Sequence, residues 1–234
     1  MTPFRFDAHA LEIAPTLLGA VLGVESEDGT VLLRITEVEA YHGIGTPGPH
    51  DESSHASRRK TKRNASMFGP PGHAYVYFTY GMHHALNVVC SPEGTPSAVL
   101  IRSGEIIEGA ELVRGRRLAK RRGILPIEDA QLASGPGNLA TALDVSCRQH
   151  DGLDLTAPPF TLVAGERRPV VERGPRVGVW ALRTCRGDSG PRARVCRSFG
   201  REGHSPDRHE VGYWGSVTAD ECRSRADVCA PTPR

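Results

Sequence analysis

Val31-Leu32-Leu33-Arg34-Ile35-Thr36-Glu37-Val38-Glu39-Ala40-Tyr41 is the stretch on which the fold turns. Its β-branched and aliphatic residues predict a strand, because such side chains fit a pleated, half-buried surface. Strict alternation sorts Leu33, Ile35, Glu37, Glu39 and Tyr41 onto one face and Leu32, Thr36, Val38 and Ala40 onto the other. Two carboxylates then share a face with an aromatic ring. Burying a carboxylate is costly without polar partners or a task, so the pattern reads either as a functional strand or as an edge strand with one wet face.

Working outward, the apolar spacing of Leu11 to Gly23 predicts a helix packed on this strand's sheet, with Pro15 near its start and Gly19 and Gly23 weakening its end. Beyond a Gly/Pro-rich loop (43–49), Ala74 to Phe78 reads as a strand, Thr79 to His84 as a turn and Leu86 to Cys90 as the return strand. Ala98 to Arg102 predicts another strand, Glu105 to Arg117 a helix, and Asn138 to Leu143 a short helix after Gly135-Pro136-Gly137. That turn suits an ordinary capped helix start, or the hairpin of a helix-hairpin-helix element. Hairpin-connected strands with helices between them place the chain in the α+β class with a largely antiparallel sheet.

With 38% apolar and 24% charged residues in 234, the composition is that of an ordinary globular domain. Arg5, Asp7 and Glu12 interrupt the N-terminal stretch, so it reads as neither a secretory signal nor a membrane span, and a cytoplasmic location is expected. A net charge of +2 announces no nucleic-acid partner by itself. The basic residues are nevertheless clustered, in Arg58-Arg59-Lys60-Thr61-Lys62-Arg63 and in Arg114 to Arg122, as a phosphate-attracting patch or a solvated helix face would have them. The six cysteines form no CxxC pair, which argues against a zinc ribbon and a disulfide framework. His50, Asp51 and His55, and separately His83 and His84, are loose candidates for metal ligands, but neither group has the spacing of a known site and no metal is expected. No P-loop, dinucleotide fingerprint or internal repeat is present.

Three of the five tyrosines fall in His73-Ala74-Tyr75-Val76-Tyr77-Phe78-Thr79-Tyr80-Gly81-Met82-His83-His84. Tyr75 and Tyr77 share a face and Tyr80 sits at the turn, as core rings or base-stacking rings would. Ile-Thr-Glu-Val-Glu-Ala-Tyr (35–41), Thr61-x-Arg63-Asn64, Met67-Phe68-Gly69-Pro70-Pro71-Gly72-His73-Ala74-Tyr75-Val76-Tyr77, Tyr80-Gly81-Met82, Leu86-Asn87-Val88-Val89, Val99-Leu100-Ile101-Arg102, Ser134-Gly135-Pro136-Gly137-Asn138-Leu139 and Gly174-Pro175-Arg176-Val177-Gly178-Val179 occur in that order. Together they resemble the alkyladenine (3-methyladenine) DNA glycosylase family over about Leu11 to Val179.

The resemblance implies one glycosylase domain (1–179) with a curved sheet and a protruding hairpin that enters DNA. It implies a monomeric bacterial enzyme that flips damaged purines out of duplex DNA and hydrolyses the N-glycosidic bond, with no metal or organic cofactor. Glu39 matches the general base, and Arg102 and the Val177 carbonyl match the groups that hold its water. Tyr41, His55 and Tyr77 match the walls around the flipped base, Asn87 the residue that screens purine substituents, and Tyr80 the side chain that fills the gap. Met82 and His83 flank that tip, and Arg58, Arg59, Lys60, Lys62 and Arg63 would meet phosphates. No lysine lies in the matched pocket segments, so Schiff-base chemistry is not expected. His83, and Arg59 where glycine is usual, depart from the pattern.

Beyond Val179 the pattern stops. The final 55 residues hold ten Arg, no Lys, no Ile and only five Leu or Val, as well as four of the six Cys. Residues 180–234 are therefore expected to be a divergent, poorly ordered tail adding little core, such as a shifted reading frame near Trp180 would produce. A chain so altered could bind lesions without excising them.

Overall fold

In the computed structural model, residues 4–120, 126–165, 170–177 and 194–199 are described. The strands are β1 (Val21–Ser26), β2 (Gly29–His42), β3 (Ala74–Thr79), β4 (His83–Cys90), β5 (Ser97–Glu108), β6 (Phe160–Val163), β7 (Val170–Pro175) and β8 (Arg194–Phe199). The helices are α1 (Ala10–Leu17), α2 (Ala110–Lys120), α3 (Pro136–Ala142) and the single turn α4 (Cys147–His150). The strands run β3-β4-β5-β2-β1-β6 through one sheet, with β8 joined to both β2 and β7, and every one of these pairings is antiparallel. The α+β class and the curved antiparallel sheet are as the sequence predicts.

The two faces of the sheet have different chemistry. Val38, Ala40, Ala74, Val76, Leu86, Val88, Val99 and Ile101 join the main core, which α1, through Ile13 and Leu17, and α3, through Leu139, close from one side. The alternate residues Tyr75, Val89 and Ala98 belong to a smaller cluster with Ala56, Met67 and Phe68, against which Tyr41 and Tyr77 pack. Period-two alternation thus gives the sheet an aliphatic side and an aromatic side.

β2 corrects the simple alternation read from its sequence. Val31, Leu33 and Ile35 are core residues, but so are Val38 and Ala40, and the parity changes at Thr36–Glu37. The ladder to β5 slips there: Ile35 pairs with Gly104, Glu37 with Ser103 and Val38 with Ile101, leaving Thr36 and Arg102 as extra residues. A one-residue slip moves side chains to the opposite face. Glu37, Glu39 and Tyr41 do share a face, but Leu33 and Ile35 are not on it.

Other boundaries move for local reasons. The predicted helix over Leu11–Gly23 ends at Leu17, with Pro15 inside it and not near its start, and after Gly19 in the left-handed region (φ 79°) the chain becomes β1. The predicted turn Thr79–His84 is shorter, because His83 already pairs with Thr79 and His84 with Phe78. Glu105 to Glu108 extends β5 along Leu32–Arg34 instead of starting a helix, and α2 begins only after Gly109 (φ 83°), where a Cβ would lie 2.7 Å from the Thr30 carbonyl oxygen. The predicted helix at Asn138–Leu143 begins two residues earlier, at Pro136, after Gly135. Arg194–Phe199, within the segment expected to be a divergent tail, is strand β8 beside Glu37–Glu39, and the rest of 178–234 lies outside the described residues.

Candidate active site

One row crosses four strands of the aromatic face: Tyr75 pairs with Asn87, Asn87 with Leu100 and Leu100 with Glu39. With neighbouring strands about 4.8 Å apart, Asn87 and Glu39 stand roughly 10 Å from each other across that row. Tyr77 and Tyr41 project from the same face on the outer strand and on β2. A pocket opens over the row, lined by Tyr41, Ser54, His55, Tyr75, Tyr77 and Asn87, with Met67 and Ala98 at its base. His55 reaches it from the loop after β2; its ring meets Tyr77 edge to face at 4.5 Å, and its Nδ1 shares a 2.7 Å hydrogen bond with the Tyr75 hydroxyl. Asn87 is buried and donates from Nδ2 to the Tyr75 carbonyl at 2.9 Å. Desolvation first, and the Arg63 charge second, hold the His55 pKa below that of a free imidazole, so a neutral ring faces the pocket.

Glu39 is fully buried behind Tyr41, one of the residues that line this pocket. An isolated carboxylate in that position would cost several kcal/mol, and two hydrogen-bond donors and one ion pair offset the cost. The Tyr41 hydroxyl donates to Oε2 at 2.8 Å, the Val177 amide donates to Oε1 at 2.8 Å, and Arg102 Nη1 lies 3.4 Å from Oε1. Arg102 stands at the β5 bulge, and its Nε donates to Glu37 Oε1 at 3.1 Å, so one guanidinium spans both carboxylates. Bulges re-aim side chains, and this one turns an arginine toward the acids on the neighbouring strand. Burial, then the Glu39 charge, drives the Tyr41 pKa well above that of a free phenol, which keeps its hydroxyl a donor.

Outside the pocket, the β3–β4 hairpin carries Tyr80 (88% exposed) and Met82 (65%) at its tip, with Tyr80 (φ 51°) and Gly81 (φ 69°) both in the left-handed region. His83 sits behind them as the first residue of β4. Arg58, Arg59, Lys60, Lys62 and Arg63 are exposed on the loop that also carries His55. Asn64 fixes that loop internally, donating to the His55 and Arg59 carbonyls and accepting from the Thr61 amide. Arg63 donates to the Phe78 carbonyl at 3.2 Å, tying the basic segment to the hairpin. In the second basic run, Arg114 is engaged by Asp129 and Glu111, and Arg116 by Ser26 and the Ala142 carbonyl.

The structure therefore gathers Glu39, Arg102, Val177, Tyr41, His55, Tyr77 and Asn87 at one place, with Tyr80 and Met82 at the tip of the hairpin that carries Tyr77 and Asn87, His83 behind them, and the basic segment tied to that hairpin through Arg63. Val177 contacts Glu39 through its N–H, an interaction separate from the water-holding role that the resemblance implies for its carbonyl. The loose metal candidates separate: Asp51 is engaged by Arg176, His55 by Tyr75, and His84 contacts Cys147. Among the described residues no group of three potential ligands gathers, and none of the helices is long and apolar enough to cross a membrane. Asp51, weighed only as a loose metal ligand, and Arg176, quoted only within its motif, are paired with each other beside the pocket, a role that the sequence did not assign to either. An arginine beside a matched valine was the one available signal.

Residues 4–185 match the profile of the family described as methylpurine-DNA glycosylase (MPG). A protein of Streptomyces avermitilis is 55% identical over 179 residues, covering 74% of this chain and 78% of its own length. Relatives from Leifsonia xyli (52% identical; 74% of this chain, 78% of theirs) and Nocardia farcinica (44%; 70% and 76%) are similar to it at comparable coverage. All three bear the name "Putative 3-methyladenine DNA glycosylase".

Proposed function

The chain belongs to the methylpurine-DNA glycosylase family, and from that premise we propose that it is a monofunctional DNA glycosylase removing alkylated or deaminated purines, such as 3-methyladenine and hypoxanthine, from duplex DNA. The observation that carries the reading is Glu39: a fully buried carboxylate held by Tyr41, Val177 and Arg102 beside an aromatic pocket. A carboxylate so placed suits a general base, and the rings of Tyr41, His55 and Tyr77 suit a purine.

In this mechanism the basic loop from Arg58 to Arg63 holds phosphates without regard to sequence, and Tyr80, flanked by Met82 and His83, fills the gap left by the flipped nucleotide. The damaged base enters between Tyr41, His55 and Tyr77, and Asn87 screens its substituents. Glu39 takes a proton from a water steadied by Arg102 and the Val177 carbonyl. The water oxygen bonds to the anomeric carbon as the C–N bond breaks, and the electron pair of that bond leaves with the base. An alkylated purine is cationic and departs neutral, whereas hypoxanthine needs a proton as it leaves. The aromatic walls favour the cationic lesions over normal bases. We place the enzyme in the bacterial cytoplasm as a monomer whose partner is damaged duplex DNA.

The test is base release from a duplex oligonucleotide containing hypoxanthine or an alkylated adenine. Wild-type protein should release the base and Glu39→Gln should lose about 10²-fold or more. Equal release by both would remove Glu39 from its role, and release abolished by a chelator would mean a metal mechanism. A second reading, a lesion-binding protein that does not excise, is favoured by the departure of the chain from the family pattern beyond Val179. Tight lesion binding with no release by either protein would support it.

A further inference from the structure

Arg176 touches more of the pocket's frame than any role so far requires. Its guanidinium makes a two-pronged pair with Asp51, Nη1 to Oδ2 at 2.8 Å and Nη2 to Oδ1 at 2.6 Å, and both side chains are more than nine-tenths buried. Nη1 also donates to the Ala40 carbonyl at 3.3 Å, between Glu39 and Tyr41, just beyond the end of the β2 ladder to β8. The same guanidinium lies 4.2 Å from the centre of the Tyr41 ring. The next residue in the chain is Val177, whose N–H is on Glu39. Asp51 in turn accepts from the His42 and Ser53 amides, so it is fixed within the loop that carries His55.

We infer that the Asp51–Arg176 pair is a positioning device that seats the Val177 amide on Glu39 and fixes the Tyr41 ring, joining the base-recognition loop to the catalytic carboxylate. Its consequence for base release rests on the glycosylase reading; its structural core does not. A planar fork is required, because one end must grip both Asp51 oxygens while Nη1 also reaches the Ala40 carbonyl and the plane lies on a ring. Lysine keeps the charge but offers no fork. Displacement of a catalytic group by about 1 Å costs on the order of 100-fold in rate.

The test compares full-length wild type with Arg176→Lys, Arg176→Met and Asp51→Asn in two measurements. In single-turnover base release from a hypoxanthine duplex, Arg176→Met and Asp51→Asn should be slower by about 10- to 100-fold and Arg176→Lys should fall between them and wild type. Affinity for a duplex carrying a tetrahydrofuran abasic analogue should stay within about twofold, because the phosphate contacts are untouched. In amide NMR, the Val177 resonance should shift when Glu39 is replaced by Gln in the wild-type background and should no longer respond in the Arg176→Met background. A purely structural pair would lower the melting temperature and leave that response intact. If Arg176→Met does not fold, Asp51→Asn/Arg176→Met replaces it, since it leaves no unpaired buried charge. Wild-type rates in the variants, or a Val177 resonance that still answers to Glu39, would overturn the inference and leave the glycosylase reading standing. If wild type releases no base, that reading falls, and the Val177 resonance decides the inference alone.

Discussion

Tyr41 combines two functions in one side chain, a hydroxyl on Glu39 and a ring facing both pocket and Arg176. Tyr41→Phe separates them. The ring and its stacking remain, while the carboxylate loses a donor worth roughly 1.5–3 kcal/mol for a hydrogen bond to a charged group. Base release should fall about 10- to 100-fold, with binding to an abasic-analogue duplex nearly unchanged, as single-turnover and titration measurements would show. At this scale the sequence was informative where a side chain stood out chemically on its strand, as the Glu39 carboxylate and the Tyr77 ring do. Asp51 was legible only as a loose ligand, because the partner that defines it lies 125 residues away. No local pattern encodes that pairing.

At the scale of elements, the β3–β4 hairpin makes the sharpest separation between stability and function. Tyr80 is almost wholly exposed and Gly81 has open space around it, so Tyr80→Ala should change stability by no more than about 0.5 kcal/mol. It should nevertheless weaken binding to a lesion-bearing duplex severalfold relative to undamaged DNA, which competition binding would reveal. Unchanged lesion preference would remove Tyr80 from the role of gap-filler. The hairpin was readable because aromatic alternation and a Tyr-Gly-Met turn mark it locally. The second half of β5 was not, since Glu105-Ile106-Ile107-Glu108 suits a helix by charge and becomes strand only through pairing with Leu32–Arg34. Tertiary pairing likewise decides β2, where the bulge at Thr36 rescues the design: an unbroken alternation would bury Glu37 and Glu39 among Leu33 and Ile35.

For the whole molecule, burial is the leading cause that lowers the pKa of His9, His55, His84 and His150 below the ordinary value of 6.5. The unfolded chain therefore binds more protons than the folded one as pH falls through about 6.5. Stability rises with pH across that window and is lost on acidification, so the melting temperature should fall steadily from pH 7 toward pH 5 in calorimetry. A flat or inverted profile would show that these rings are hydrated in the folded state. The single sheet and its two faces were legible as a class from alternation and turns, whereas the place of β8 beside Glu37–Glu39 was not, because Arg194–Phe199 has the composition of a tail.

The contacts that build the pocket also differ in reach along the chain. Tyr75 and Asn87 are 12 residues apart and His55 and Tyr75 are 20, but Glu39 waits for Val177 across 138. A polypeptide made from its N-terminus has the short-range contacts among His55, Tyr75 and Asn87 within reach before Arg176 and Val177 can join Tyr41 and Glu39. The donor to Glu39 is thus the contact of the pocket region that spans the longest stretch of chain among these three.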